Sequence, residues 1–208
     1  MKTSCARLAA LLLVWGLAAS FAGAYHLLAH LPPRMAPLLI AGLSISFSIS
    51  LVAVGWLREA MASLSVRVIL AVHLVRFAGF YFLWLNSEGR LPLEFAQRAG
   101  WGDIVAASGA LALLFWPEGS RFRSVLFWWN IIGATDLLLA VGTAGWLNAT
   151  RPGSMIEISQ LPLTLVPLWA VPVLLSSHIY LIRRSLGGRC SSGTQALSDR
   201  VEPALFSE

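Results

Sequence analysis

The chain has few charged residues and almost no cysteine. Of its 208 residues, 12% are charged and 57% hydrophobic, whereas soluble domains average about 25% charged residues. This composition excludes an ordinary soluble domain. The basic residues behind the net charge of +5 are not clustered with aromatic side chains, so we expect no nucleic-acid partner. Cys5 and Cys190 lie near opposite termini, and we expect both to be reduced thiols.

Motifs that would define an enzyme class are also missing. The sequence contains no phosphate-binding glycine loop, no CxxC, no HExxH and no nucleophile elbow. Strand-like alternation of polar and apolar residues is absent as well. Function must therefore be inferred from single polar residues within apolar segments.

Long apolar stretches dominate what is present. A helix that crosses a bilayer needs about 20 mostly apolar residues. Such stretches occur at 8–30, 36–57, 67–86, 100–117, 124–147 and 158–182. They predict an all-α integral membrane protein in a lipid bilayer, with about six transmembrane helices in residues 1–184. Residues 185–208 are rich in Ser, Gly and charge, which predicts a flexible cytoplasmic tail.

The basic residues between these stretches predict the orientation, because they are enriched on the cytoplasmic side. With a cytoplasmic N-terminus, the inner side holds Lys2, Arg7, Arg58, Arg67, Arg121, Arg123, Arg183, Arg184, Arg189 and Arg200, and the outer side holds Arg34, Arg90, Arg98 and Arg151. Both termini are therefore expected in the cytoplasm. The first stretch also resembles a signal peptide that ends at Ala22-Gly23-Ala24, but we expect the helix to be retained.

Two charged residues fall in the middle of predicted spans. Arg76 lies in the third and Asp136 in the fifth, at similar depth. Charges at this depth are costly and usually functional, so we expect them to pair, either to fix helix docking or to bind a small polar or charged ligand. Within each of the first two spans, small residues recur every four positions, starting at Gly16 in the first span and at Gly42 in the second. This spacing predicts that the two helices pack together.

The outer segment 91–103 is the most unusual part of the chain. Pro92 and two glycines frame a predicted short helical turn that lies over the bundle as a cap, with Glu94 and Arg98 paired four residues apart. Together with Asp103, these side chains are expected to line a polar cavity that contains Arg76 and Asp136. This set is the predicted ligand-binding site.

Four histidines suggest alternative cofactors. His73 and His178 lie on different spans at equal depth, as the two axial ligands of a b-type haem would. His26 and His30 lie four apart near the outer end of the first helix, a spacing that suits a copper or zinc ion if a third ligand is close. A membrane redox protein and a metal-dependent enzyme therefore remain alternatives to binding or transport.

Residues Gly100-Trp101-Gly102-Asp103 match the GxGD pattern of intramembrane aspartyl proteases. Those enzymes need a second carboxyl group that shares a proton with the first, and Asp136 is the candidate. In that family the second aspartate precedes the GxGD helix, whereas Asp136 follows it. The likeness covers four residues, so whether the protein is an enzyme stays open.

Several segments taken together carry a family resemblance. They are Arg76 with Gly79, Leu91-Pro92 to Asp103, Trp129-Asn130 through Asp136, and Leu161-Pro162 through His178. Over approximately residues 70–182 the chain resembles an uncharacterised group of bacterial multi-pass inner-membrane proteins. The resemblance implies a bacterial inner-membrane location and no particular activity. A homo-oligomer or a larger membrane complex remains open as the functional unit.

Overall fold

The computed structural model describes residues 2–32 and 34–185, and every regular element in these ranges is helical. The predicted tail after Ser185, including Cys190, lies outside the described residues. The described part of the chain forms α1 (Lys2–Ala24), α2 (Met35–Ala53), α3 (Gly55–Ser63), α4 (Val66–Val72), α5 (Gly79–Ser87), α6 (Leu93–Phe115), α7 (Ser120–Thr150) and α8 (171–185).

Within residues 2–32 and 34–185, five helical segments are long and apolar enough to cross a membrane, as expected for a multi-pass membrane protein. They are Thr3–Ala24, Met35–Ala53, Val66–Ser87, Ser120–Thr150 and Val166–Ser185. The third segment joins α4 and α5 through a 3₁₀ turn, His73–Ala78. Helix α6 has 23 residues and so a length of about 35 Å, but it is not one of these five segments.

The predicted surface cap at 91–103 is wrong. Pro92 precedes the first residue of α6, and the helix runs from Leu93 to Phe115 without a break. Proline is tolerated at a helix start because its missing N–H would have no partner there. Gly100 and Gly102 do not end the helix because neighbouring helices pack tightly on both of them. The predicted second span is also too long, since Val54 is extended and separates α2 from α3.

Helix α6 lies at the centre of the bundle. It packs against α7 on one side and against α5 and the 3₁₀ turn on the other. Its buried positions are mainly small, which lets the neighbouring backbones approach closely. The small buried residues are Ala96, Ala99, Gly100, Ala106, Ala107 and Ala110.

The last span begins irregularly, as its prolines predict. A π-helical turn at Val166–Ala170 contains Pro167 and leads into α8, which contains Pro172. Proline removes a backbone donor and displaces the carbonyl four residues back, so a regular α-helical ladder cannot form through this region. The bond between Leu161 and Pro162 is cis.

The small-residue stripe of α1 packs on a different partner from the one predicted. Gly16 faces the indole of Trp169, and Gly23 faces Leu161 and Thr164. The stripe therefore meets the start of the last span, while Gly42 of α2 has open space around it. The first two helices touch through larger side chains such as Trp15 and Phe47.

Candidate carboxylate–arginine site

The 3₁₀ turn within the third span positions the central residue of the site. A 3₁₀ helix has three residues per turn, so residues three apart lie directly above one another. His73 and Arg76 therefore point to the same side of the span, and both are completely or almost completely buried. A 3₁₀ stretch inside a longer helix often marks a functional position.

Arg76 binds two carboxylates. Its Nε donates to Oδ1 of Asp103 at 2.6 Å, and its Nη2 donates to Oδ2 of Asp136. Its Nη1 donates to the carbonyl oxygen of Gly133 at 3.2 Å. The arginine side chain is 1% exposed, and those of Asp103 and Asp136 are 12% and 19% exposed. Three helical segments therefore meet at one guanidinium group, and the expected pair of Arg76 with Asp136 is present.

Glycines create the space for this cluster. A Cβ atom at Gly102 would overlap the carboxylate of Asp136, and one at Gly79 would overlap the carbonyl oxygen of Gly100. At Gly133 a Cβ would lie 2.6 Å from Cε1 of His178. The glycines of the GxGD pattern therefore lie on opposite sides of α6, one against α5 and the other against Asp136 on α7.

The GxGD pattern thus has a packing explanation. Aspartyl protease chemistry requires two carboxyl groups that share a proton. Here Asp103 and Asp136 both bind the guanidinium of Arg76, which lies between them. This arrangement does not support the protease hypothesis.

Two imidazoles that pack against each other, and that are each hydrogen-bonded to another side chain, lie next to the arginine. Nε2 of His178 lies 3.5 Å from Nη1 of Arg76, and its Nδ1 lies 2.9 Å from Oδ1 of Asn130. Nε2 of His73 lies 2.8 Å from the hydroxyl of Ser177. The two imidazole rings pack against each other and against Trp129, whose indole N–H donates to the Ala106 carbonyl.

The spacing of these imidazoles does not support the haem hypothesis. Haem iron bound to both His73 and His178 would lie between their rings. With metal–nitrogen bonds of about 2 Å on each side, the ring centres would be about 6 Å apart. They are 4.3 Å apart. The two rings are in direct contact, and Nε2 of each ring faces a protein group instead.

The outer metal hypothesis fails for a backbone reason. Helix α1 ends at Ala24, and His26 has a left-handed conformation with φ of 51°. His30 ends the following 3₁₀ turn, so the two side chains do not share an α-helical face as their spacing suggested. Both are exposed. Among the described residues, no three His, Cys, Asp or Glu side chains lie close enough to hold a metal ion.

Two residues of the predicted site lie apart from the cluster. Glu94 and Arg98 do not pair with each other. Glu94 binds the residue that follows α7, and Arg98 contacts a residue within α7. Glu94 accepts a hydrogen bond of 2.6 Å from Arg151. Arg98 lies 3.4 Å from the Thr143 hydroxyl. These contacts hold the part of α6 that precedes Asp103 against α7.

A cavity of about 100 Å³ adjoins the cluster, a volume of about three water molecules. Arg76 and Asp103 line it together with apolar side chains from four spans. A second cavity of about 260 Å³ is lined by the start of α2, the end of α7 and the segments next to them. The two cavities share the lining residues Ile40, Val141, Ala144, Ile158 and Pro167. They are therefore neighbours, and the second lies nearer one end of the bundle.

Sequence reasoning missed two contributors to this site. Ser177 and Trp129 are common residue types in membrane helices and carry no charge. Gly133 was expected to face inward, because it lies midway between Asn130 and Asp136 on one helical face. Ser177 could have been found only through its neighbour His178.

The chain belongs to a family known as a domain of unknown function, DUF8737, whose model matches residues 33–186. The match covers α2 to α8 and all residues of the cluster. No curated protein and no solved structure matches the chain. Membership agrees with the expected resemblance to an uncharacterised family.

Proposed function

We propose that this protein binds a proton or a small cation at the cluster of Arg76, Asp103 and Asp136 and moves it across the membrane. The observation that carries the proposal is the excess of negative over positive groups in the cluster. One buried guanidinium binds two carboxylates, so the cluster has a net charge of −1 when both are ionised. A lone charge in a membrane interior is costly, and one added positive charge removes that cost.

The adjacent histidine does not supply this charge. Asn130 donates from its Nδ2 to the Leu126 carbonyl, so its Oδ1 accepts from Nδ1–H of His178. Nε2 of His178 then faces the N–H groups of Arg76 and must present a lone pair. A neutral imidazole satisfies both contacts, whereas a protonated one would direct N–H against N–H.

One oxygen of each carboxylate does not contact Arg76. Arg76 binds Oδ1 of Asp103 and Oδ2 of Asp136, so its contacts do not include the other oxygen of either group. Carboxylate oxygens bind protons, hard metal cations and ammonium groups. The adjoining cavities give a small ligand a path to Asp103.

The proposed topology has six spans with both termini in the cytoplasm of a bacterium and the chain in its inner membrane. Helix α6 supplies the sixth span, since about 20 residues suffice to cross. Asp103, the charged residue near the middle of this helix, is buried and binds Arg76. The distribution of basic residues supports the orientation, and the sequence resemblance supports the location.

Infrared spectroscopy of the reconstituted protein tests the binding step. In choline buffer, the wild type should show the carbonyl stretch of one protonated carboxyl group. Asp103→Asn and Asp136→Asn should each abolish it, because the one remaining carboxylate balances the charge of Arg76. Glu157→Gln is the matched control, since Glu157 pairs with Arg90 in a separate contact. Loss of the band on adding Na⁺ would identify a cation that replaces the proton.

A flux assay tests the transport step. Proteoliposomes that contain pyranine report proton entry driven by a potassium diffusion potential. The wild type and Glu157→Gln should acidify the lumen faster than Asp103→Asn and Asp136→Asn. The proposal is wrong if the carbonyl band of a protonated carboxyl group is absent both with and without Na⁺. It is also wrong if the fluxes of H⁺, Na⁺ and methylammonium all equal those of protein-free liposomes.

A further inference from the structure

A groove at the opposite end of the bundle from Glu94 and Arg151 has no role in the proposed transport site. It has a volume of about 300 Å³ and lies between the end of α2, the start of α3 and α8. Its apolar walls include Leu51, Val52 and Ile179. Its floor includes Ser48 and Ser176, whose hydroxyl oxygens lie 2.8 Å apart.

Three arginines surround this groove. Arg58 comes from α3, and Arg183 and Arg184 come from the last turn of α8. All three are exposed, and no acidic residue lies among the described residues that line the groove. Arg67, near the same end of the bundle, differs because it pairs with Glu118 at 3.7 Å. Positive charge is therefore concentrated at the groove, and no carboxylate is among its described lining residues.

We propose that the groove binds an anionic phospholipid, with its phosphate at the arginines and an acyl chain along the apolar walls. Guanidinium groups bind phosphate oxygens in pairs of hydrogen bonds. Basic pockets between transmembrane helices are typical sites for anionic lipid headgroups. The apolar walls favour a lipid over a free phosphate ion, because a phosphate ion gains nothing from Leu51, Val52 and Ile179.

The experiment compares three ligands and three proteins in detergent. Phosphatidylglycerol, phosphatidylcholine and inorganic phosphate are each added to the wild type, to the triple variant Arg58→Gln, Arg183→Gln, Arg184→Gln, and to Arg121→Gln. Arg121 is a matched control, because it is exposed at the start of α7 and does not line the groove. The readout is the Tm of unfolding.

Phosphatidylglycerol should raise the Tm of the wild type and of Arg121→Gln by at least about 3 °C. The triple variant should lose this increase. Equal shifts with phosphatidylcholine, an equal shift with inorganic phosphate, or an undiminished shift in the triple variant would each overturn the proposal.

Native mass spectrometry of the wild type provides a measurement that needs no variant. After equal exposure to both lipids, the protein should retain phosphatidylglycerol at least about tenfold more than phosphatidylcholine, a ratio that corresponds to about 1.4 kcal/mol. Equal retention of the two lipids would contradict an anionic-lipid site even if the triple variant fails to fold.

Discussion

Arg76 illustrates how far single residues can be interpreted from sequence. Its depth in an apolar segment predicted a buried partner, and Asp136 is that partner. Asp103 was not predicted to pair with it, because the preceding glycines and the weakly apolar segment suggested a surface loop. Depth along a segment is readable from sequence, whereas the contact of two carboxylates with one guanidinium depends on how three helices pack.

The two carboxylates make the arginine more important for stability than either aspartate. Arg76→Met leaves two buried carboxylates without their cation and should lower the free energy of unfolding by about 3–5 kcal/mol. Asp136→Asn leaves a neutral pair of Arg76 with Asp103 and should cost about 1.5–3 kcal/mol, the contribution of one charged hydrogen bond. Denaturant unfolding in detergent micelles measures both values.

Arg98→Met is the matched control for these variants. Arg98 is an exposed arginine of the same bundle, and its contact is a single hydroxyl group at 3.4 Å. Its loss should cost about 1 kcal/mol or less. A greater loss for Asp136→Asn than for Arg76→Met would show that Asp103 is not paired with the arginine.

At the scale of elements, hydropathy detects helices that face lipid better than helices that face protein. The five segments recognised by apolarity include α1 and α2, whose outward faces carry large exposed side chains such as Leu17 and Ile45. Helix α6 was the least apolar predicted span because its small and polar residues contact α5 and α7 instead. Its start was therefore misplaced, although its existence was predicted.

The same contacts predict an effect of Gly102→Ala. The added methyl group occupies the position of the Asp136 carboxylate, so α6 and α7 must separate or Asp136 must leave Arg76. The variant should lose the proposed proton or cation binding and unfold at a lower Tm. Infrared and unfolding measurements on one sample record both effects.

Gly142→Ala provides the control for helix propensity. Gly142 is in α7, where an added methyl group would meet open space, and alanine is intrinsically more helical than glycine by up to about 1 kcal/mol. This variant should keep the wild-type spectrum with an equal or higher Tm. An unchanged spectrum in Gly102→Ala would contradict the close approach of Asp136 to α6.

At the scale of the whole molecule, the proposed transport requires that α6 crosses the membrane. If it does, Glu88 before α6 and Glu118 after it lie on opposite sides, as the positive-inside rule predicts. If α6 instead lies on the surface, both residues are on the same side and the last two spans change direction.

Cysteine labelling in cells distinguishes these topologies. In a background with Cys5→Ser and Cys190→Ser, a membrane-impermeant maleimide should label Glu88→Cys in intact cells. Glu118→Cys should react only after permeabilisation, and denaturation should make both fully reactive. Equal labelling of both variants in intact cells would place α6 on the surface. Asp103 would then lie at the membrane surface rather than in its interior. An unbalanced charge costs little there, so the physical reason for binding a proton or cation would disappear.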